Sequence, residues 1–202
     1  MKVLLINGSP HEKGCTYTAL TLIAGELNSA GIETEILNVG TKPVGGCIGC
    51  GGKGCVFGGV VNEAIEKAKT ADAFVFGTPV HYASASGNMT SFMDRLAYAG
   101  GKYLAYKPAA ICCSARRAGT TTTLDQLVKY PEFFHMPLVS GSYWPMVHGS
   151  NPEQVLQDAE GCAVMQELGR NMAWLLRCIE AGRAVGIDHP ENPRRPMTNF
   201  IR

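Results

Sequence analysis

Apolar residues fall along this chain in two alternating patterns: short unbroken runs, and stripes three to four positions apart. Lys2 to Ile6 (KVLLI) is a run of strand length, ended by Asn7-Gly8-Ser9-Pro10. From Thr16 to Ala30 the apolar positions Leu20, Ile23, Ala24 and Leu27 recur at helical spacing, with Gly31 as the stop. Glu33 to Val39 reads as a second strand, Gly40 to Gly59 as a long glycine-rich loop, and Val60 to Thr70 as a helix. Ala71 to Gly77 (ADAFVFG) is apolar enough to be a strand covered on both faces, as parallel strands are. Thr78 to Tyr82 then ends it, and Ser86-Gly87 leads into a helix over Asn88 to Ala99. Pro108 to Ser114 predicts a fourth strand, the threonine run Thr120 to Thr123 opens a helix, and His135 to Ser140 predicts a fifth strand. Pro152 to Ala181 reads as one long helix, with Leu156, Met165, Leu168, Met172, Leu175, Leu176 and Ile179 as its apolar positions.

Strands alternating with helices predict a three-layer α/β/α sandwich around a five-stranded parallel sheet. Right-handed connections and a short first unit favour the strand order 2-1-3-4-5. Residues 1–202 are expected to form a single domain, with 182–202 an extended tail carrying Pro190, Pro193 and Pro196. In that order the winding reverses between the first and third strands, and a ligand crevice opens at their carboxyl ends.

Three loops should meet there. Ser9 to Thr18 joins a strand to a helix N-terminus, whose free N–H groups and positive dipole end suit a phosphate. It matches neither G-x-G-x-x-G nor G-x-x-x-x-G-K-[ST], which argues against a dinucleotide fingerprint or an NTPase loop. Thr78 to Gly87 offers a proline, an imidazole, a phenol and backbone N–H groups expected to be free of strand pairing, which suits a flat aromatic ligand. Ser114 to Gly119 adds a hydroxyl and glycine backbone, with Arg116 and Arg117 beside it. A phosphate end and a flat aromatic end together point to flavin mononucleotide (FMN).

A net charge of +1 gives no reason to expect nucleic acid or a membrane surface as partner, and no apolar run approaches the length of a spanning helix or an export signal. The expected location is therefore the cytoplasm. There, the eight cysteines are not expected to form structural disulfides. Cys112, Cys113 and Cys178 read as packing residues, whereas Cys47, Cys50 and Cys55 cluster in the glycine-rich loop.

The segments NGSPHEKGCTYTAL, GTPVHYASASGNMTSFMDR and DAEGCAVMQELGRNMAWLL resemble the NAD(P)H-dependent FMN reductase-like branch of flavodoxin-like proteins, which includes the iron–sulfur flavoproteins. The resemblance runs over nearly the whole chain. It implies a flavodoxin-like fold. It also implies FMN bound by Ser9, Pro10, His11, Cys15, Thr16, Tyr17 and Thr18 around the phosphate, with the ring along Pro79, Val80, His81 and Tyr82. Ser114, Ala115 and Gly119 contribute from the third loop. A homodimer or tetramer is implied as well, and Asp94-Arg95 matches an Asp-Arg pair read as a structural salt bridge. Where relatives carry Arg or Lys, Asn and Lys, this chain has His11, Cys15 and Thr90. Iron–sulfur flavoproteins place four cysteines after the second strand, since a [4Fe–4S] cluster takes four thiolates. Here Lys53 stands at the position of a third ligand, leaving three cysteines. Reduced, partly buried thiols are expected, with zinc on three cysteines and a histidine as the rarer outcome.

The function so implied is an FMN-dependent oxidoreductase that takes hydride from NADH or NADPH and passes electrons to a small acceptor such as a quinone, free flavin or nitro compound. The alternative is a non-enzymatic FMN electron carrier serving a protein partner, with or without an Fe–S cluster on Cys47, Cys50 and Cys55. Carriers of that type are strongly acidic, and a charge of +1 does not fit them.

Overall fold

The computed structural model describes residues 1–51, 54–193 and 196–198. Its core is a parallel sheet of β1 (Lys2–Asn7), β2 (Glu33–Asn38), β3 (Ala73–His81), β5 (Ala109–Ala115) and β6 (Met146–His148) in the order β2-β1-β3-β5-β6. A two-residue strand β4 (Ser84–Ala85) pairs back onto β3 alone. Among these five parallel strands the order is the predicted 2-1-3-4-5.

Alternation along each strand sorts side chains to two faces. Val3, Leu5, Ala73, Val75, Ala110 and Cys112 meet α1 (Cys15–Ser29) and α6 (Ala159–Ala184). Leu4, Ile6, Phe74, Phe76, Ile111 and Cys113 face the opposite layer of α2 (Val60–Thr70), α3 (Gly87–Gly100) and α4 (Thr120–Phe133). The small residues lie on the α1/α6 side, where the two helices pack closely. At Gly169 of α6, a Cβ would lie 2.7 Å from the carbonyl oxygen of Ile23 and 2.8 Å from Cβ of Glu26. The Phe74 and Phe76 rings, 5.9 Å apart and stacked, fill the wider space beneath α3.

Four expectations need correction. The fifth strand is Met146–His148, not His135 to Ser140. That segment carries Pro137, which has no N–H, and touches the sheet through a single bridge, Leu138 opposite Ala109. The long final helix is two helices, because Asn151 caps α5 (Pro152–Val155) and Asp158 then starts α6 with its own carboxylate on the Gly161 N–H. Leu156, expected among its apolar positions, falls at this break and is exposed. The third strand runs past Gly77 to His81, so Val80 and His81 are paired with Ala85 and Ser84 rather than free. Cys178 is exposed on α6 and is not a packing residue, unlike Cys112 and Cys113, which are buried.

After α6 ends at Ala184, the described part of the tail lies on the surface. The His189 ring stacks on Tyr106 with centroids 4.2 Å apart, and Asn192 donates to the Tyr106 hydroxyl. Part of the 182–202 tail lies outside the described residues. No described helix is long and apolar enough to cross a membrane.

The α1–α6 contact predicts that Gly169→Val lowers stability by about 1–3 kcal/mol, because the new side chain meets backbone that cannot yield. Urea unfolding should show a lower midpoint at unchanged slope.

Candidate functional site

The carboxyl ends of β1, β3 and β5 form a shelf, and the first loop is built around Asn7, which is fully buried. Its Nδ2 donates to the carbonyl of Glu12 at 3.1 Å and to Oδ1 of Asn38 at 2.8 Å. Its own Oδ1 accepts from the Ser9 N–H at 3.2 Å. The Ser9 hydroxyl oxygen in turn accepts from the His11 N–H at 3.1 Å. The loop thus turns tightly into α1, whose N-cap is Gly14 and whose first turn carries no side-chain cap. Its leading N–H groups are left for water or an anion.

The side chains of this loop divide. Pro10 and His11 are exposed, Cys15 and Tyr17 are half-buried, and Ser9, Thr16 and Thr18 are buried. Thr18 Oγ1 donates to the carbonyl of Gly14 at 3.2 Å. The Thr16 hydroxyl meets that of Ser114 at 2.8 Å, tying the first loop to the third across the buried sheet edge. Cys15 Sγ contacts the carbonyl of Gly149 at 3.6 Å, just past β6, and burial pushes its thiol up.

The second loop is a hairpin. Tyr82 (φ 51°) and Ala83 (φ 57°) occupy its two-residue tip, and both are left-handed. This is the twist such turns need, normally supplied by Asn or Gly. α4 holds it there. Thr122 Oγ1 donates to the Ala83 carbonyl at 2.8 Å, and Gln126 Oε1 accepts from Ser84 Oγ at 2.7 Å and from the Ala85 N–H at 2.9 Å. Gly119 (φ 90°) packs so closely that a Cβ there would sit 2.6 Å from Cα of Ala83. Pro79 and Val80 are half-buried, and His81 and Tyr82 are exposed at the tip. Ser86 locks the hairpin base to the first loop: its Oγ donates to the Gly8 carbonyl at 2.8 Å, and its N–H donates to Thr78 Oγ1 at 3.1 Å.

The third loop leaves β5 at the buried Ser114 and Ala115, and Arg116 and Arg117 stand exposed beyond them. His148 is the last residue of β6, opposite Ala115. Its N–H donates to Asp158 Oδ2 at 2.7 Å. The predicted site residues are therefore brought to one edge. Thr16 and Ser114 face each other there, and neither hydroxyl is turned outward alone. Sequence reading missed Asn7, Thr78, Ser86, Thr122 and Gln126, which hold the shelf together. Asn-Gly after a strand and Ser86 three residues before Met89 were the available signals, for a turn and for a helix cap.

A model of the NADPH-dependent FMN reductase family matches residues 1–151. The chain belongs to that family. It is 29% identical over 194 residues to an iron–sulfur flavoprotein of Methanocaldococcus jannaschii, covering 89% of this chain and all of that one. It is 31% identical over 197 residues to an iron–sulfur flavoprotein of Archaeoglobus fulgidus, covering 91% and 96%. Solved structures with the same fold include an NAD(P)H:quinone oxidoreductase from Methanothermobacter marburgensis, with TM-score 0.66, 16% identity and 85% and 98% coverage. An NADH:FMN oxidoreductase follows at TM-score 0.63, 18% identity and 88% and 89% coverage. The fold is flavodoxin-like and the family is one of flavin-dependent oxidoreductases.

The shelf fits a flavin phosphate, since its helix N-terminus is uncapped and faces the reversal of strand order. The cysteine loop does not fit a cluster held by four thiolates. It supplies three sulfurs, and Lys53 lies outside the described residues. Cys15 is engaged across the sheet with Gly149. Among the described residues no three Cys, His, Asp or Glu side chains are grouped for a metal. Arg95 is not ion-paired with Asp94, as had been expected: Asp94 accepts from the Tyr130 hydroxyl at 2.5 Å, while Arg95 turns to the cysteine loop.

The Thr16–Ser114 contact gives a double-mutant prediction. Thr16→Val alone leaves a buried hydroxyl unpaired and costs about 1–3 kcal/mol, whereas adding Ser114→Ala restores most of that loss. Thermal or urea unfolding of the two singles and the double measures the coupling.

Proposed function

We propose that this chain binds FMN on the shelf and works as an NAD(P)H-dependent flavin oxidoreductase. The observation that carries the reading is the uncapped N-terminus of α1 at the reversal of strand order, beside a rigid hairpin wall. Backbone N–H groups of residues 12, 13 and 15–17 hold the phosphate, aided by the Ser9 hydroxyl, while Cys15 and Thr18 fix the start of α1 through the Gly149 and Gly14 carbonyls. Pro10, His11 and Tyr17 border it. Thr16 and Ser114 act by position, fixing the first loop against the third. The ring lies along Pro79, Val80, His81 and Tyr82, with Ala115 and Gly119 closing the far side.

FMN, when bound, supplies hydride acceptance from NADH or NADPH and onward transfer of electrons to a quinone, free flavin or nitro compound. The protein's share is placement. The hairpin is anchored to α4 at four points, so it presents a fixed face. Its exposed His81 imidazole and Tyr82 phenol stand where a proton can be given to a reduced acceptor. Tyr82 is fully exposed in one chain, and a second copy covers it in a homodimer or tetramer.

A phosphate seated on α1 requires FMN to bind at least ~100-fold more tightly than riboflavin, the worth of one or two charge-assisted hydrogen bonds. Fluorescence titration of the flavin-free protein measures this ratio, and equal affinities would overturn the placement. Anaerobic addition of NADH or NADPH should bleach the flavin bands of the loaded protein. A flavin that neither nicotinamide bleaches would point to the electron-carrier reading instead.

A further inference from the structure

Away from the shelf, Cys47, Cys50 and Cys55 line one small pocket together with Arg95, Phe57 and Tyr98. Of the three thiols, Cys55 is the one held in place. Asn62 clamps its backbone from both sides, with Oδ1 accepting from the Cys55 N–H and Nδ2 donating to its carbonyl, each at 3.0 Å. Its sulfur is met by Arg95, whose Nε–H donates to Sγ at 3.1 Å. The other guanidinium nitrogens donate to the carbonyls of Gly45 and Gly58, at 3.4 and 3.2 Å, and the Phe57 ring covers one face.

Arg95 is 6% exposed, and none of the ion pairs among the described residues includes it. A buried cation without a carboxylate is costly unless negative charge can form beside it. Of the groups it touches, two are carbonyls and one is a ring, and only the Cys55 sulfur can carry that charge. Cys47 Sγ already accepts from the Gly49 N–H at 3.4 Å, while Cys50 is exposed. Gly49 and Gly51 on either side of Cys50, and Gly54 before Cys55, all sit at positive φ.

We propose that the pocket shared by Cys50, Cys55 and Arg95 is a thiol–disulfide exchange site for small disulfides, with Cys55 as attacking thiol, Arg95 as its positioning cation and Cys50 as the resolving thiol. The Cys55 sulfur attacks one sulfur of an external disulfide, forming a mixed disulfide and expelling the other half as a thiolate. The Cys50 thiol then attacks Cys55 Sγ, losing its proton to solvent, and the second half leaves as a thiolate. Two protein thiols are oxidised by two electrons, and one external disulfide becomes two thiols. The guanidinium Nε–H meets the attacking sulfur directly, so it holds that atom in place for the first step. This inference rests on no part of the flavin assignment.

The test uses full-length reduced protein under argon and 5,5′-dithiobis(2-nitrobenzoate) as probe, followed by release of its coloured thiolate and by peptide mapping. Because Cys178 is exposed on α6 and reacts on its own, every protein tested carries Cys178→Ser; this otherwise wild-type protein should release two equivalents in a fast phase and acquire a disulfide from Cys55 to Cys50. Cys112 and Cys113 stay out of that phase, since burial pushes both thiols up, Cys113 to about 12. Cys50→Ser, at an exposed position that does not threaten folding, should release one fast equivalent and keep the mixed disulfide on Cys55. Arg95→Gln should slow the phase roughly tenfold, the worth of one charge-assisted hydrogen bond, and Arg95→Lys should recover part of it. A fast phase that survives Cys55→Ser, or a wild-type protein that forms no disulfide involving Cys55, overturns the proposal. Anaerobic treatment with iron and sulfide that installs a cluster on these cysteines overturns it as well.

Discussion

A side-chain amide sealed from water must find its partners inside the protein, and the three partners that Asn7 finds set the shape of the whole carboxyl edge. By holding Glu12, Asn38 and the Ser9 N–H at once, it bends the chain leaving β1 and fixes β1 to β2 at the last pair of their ladder. The tightness of that turn is what brings the start of α1 over the sheet. Gly40 passes so near the Gly8 and Ser9 carbonyls that any side chain there would collide with them. Asn88 then ties residues 40–44 to the start of α3. The shelf and the stretch leading to the cysteine loop are thus successive parts of one hydrogen-bonded path.

Much of this was legible in residue order because the signals were local. Two-faced apolar runs marked β1, β3 and β5, and glycine and serine marked the turns between them. What escaped was set by distant partners. The run Met136 to Val139 looks more strand-like than Met146 to His148, yet Pro137 and Pro145 decide which segment can join β5. The Thr78–Gly87 segment reads as open loop because Tyr-Ala is a poor hairpin tip. Only Gly119, Thr122 and Gln126, some forty residues away in sequence, hold it left-handed. The Asp94-Arg95 dipeptide invites an ion pair, but on a helix neighbours point apart, and each found its partner on a different element.

Arg95 shows how one buried side chain can tie distant backbone together. In a cluster protein, the inorganic core would neutralise and organise the thiolates. Here a guanidinium organises the same stretch by gripping a sulfur and two carbonyls. It holds that sulfur, Gly45 and Gly58 at once, and so joins both ends of the stretch to α3.

The interrupted last strand has a bearing on how the molecule behaves in company. A parallel sheet presents two open edges, each a row of unsatisfied amides on which another chain can grow. At one edge, β2 carries Glu33 and Glu35, and Lys2 and Lys67 are salt-bridged across them, so an approaching strand would meet fixed charge. At the other edge, β6 is three residues long and follows a proline, and the remaining contact with β5 is the single bridge at Leu138. Neither side offers a flat template. The shortness that hides this strand from a reader of the sequence also blunts the edge against pairing with another strand.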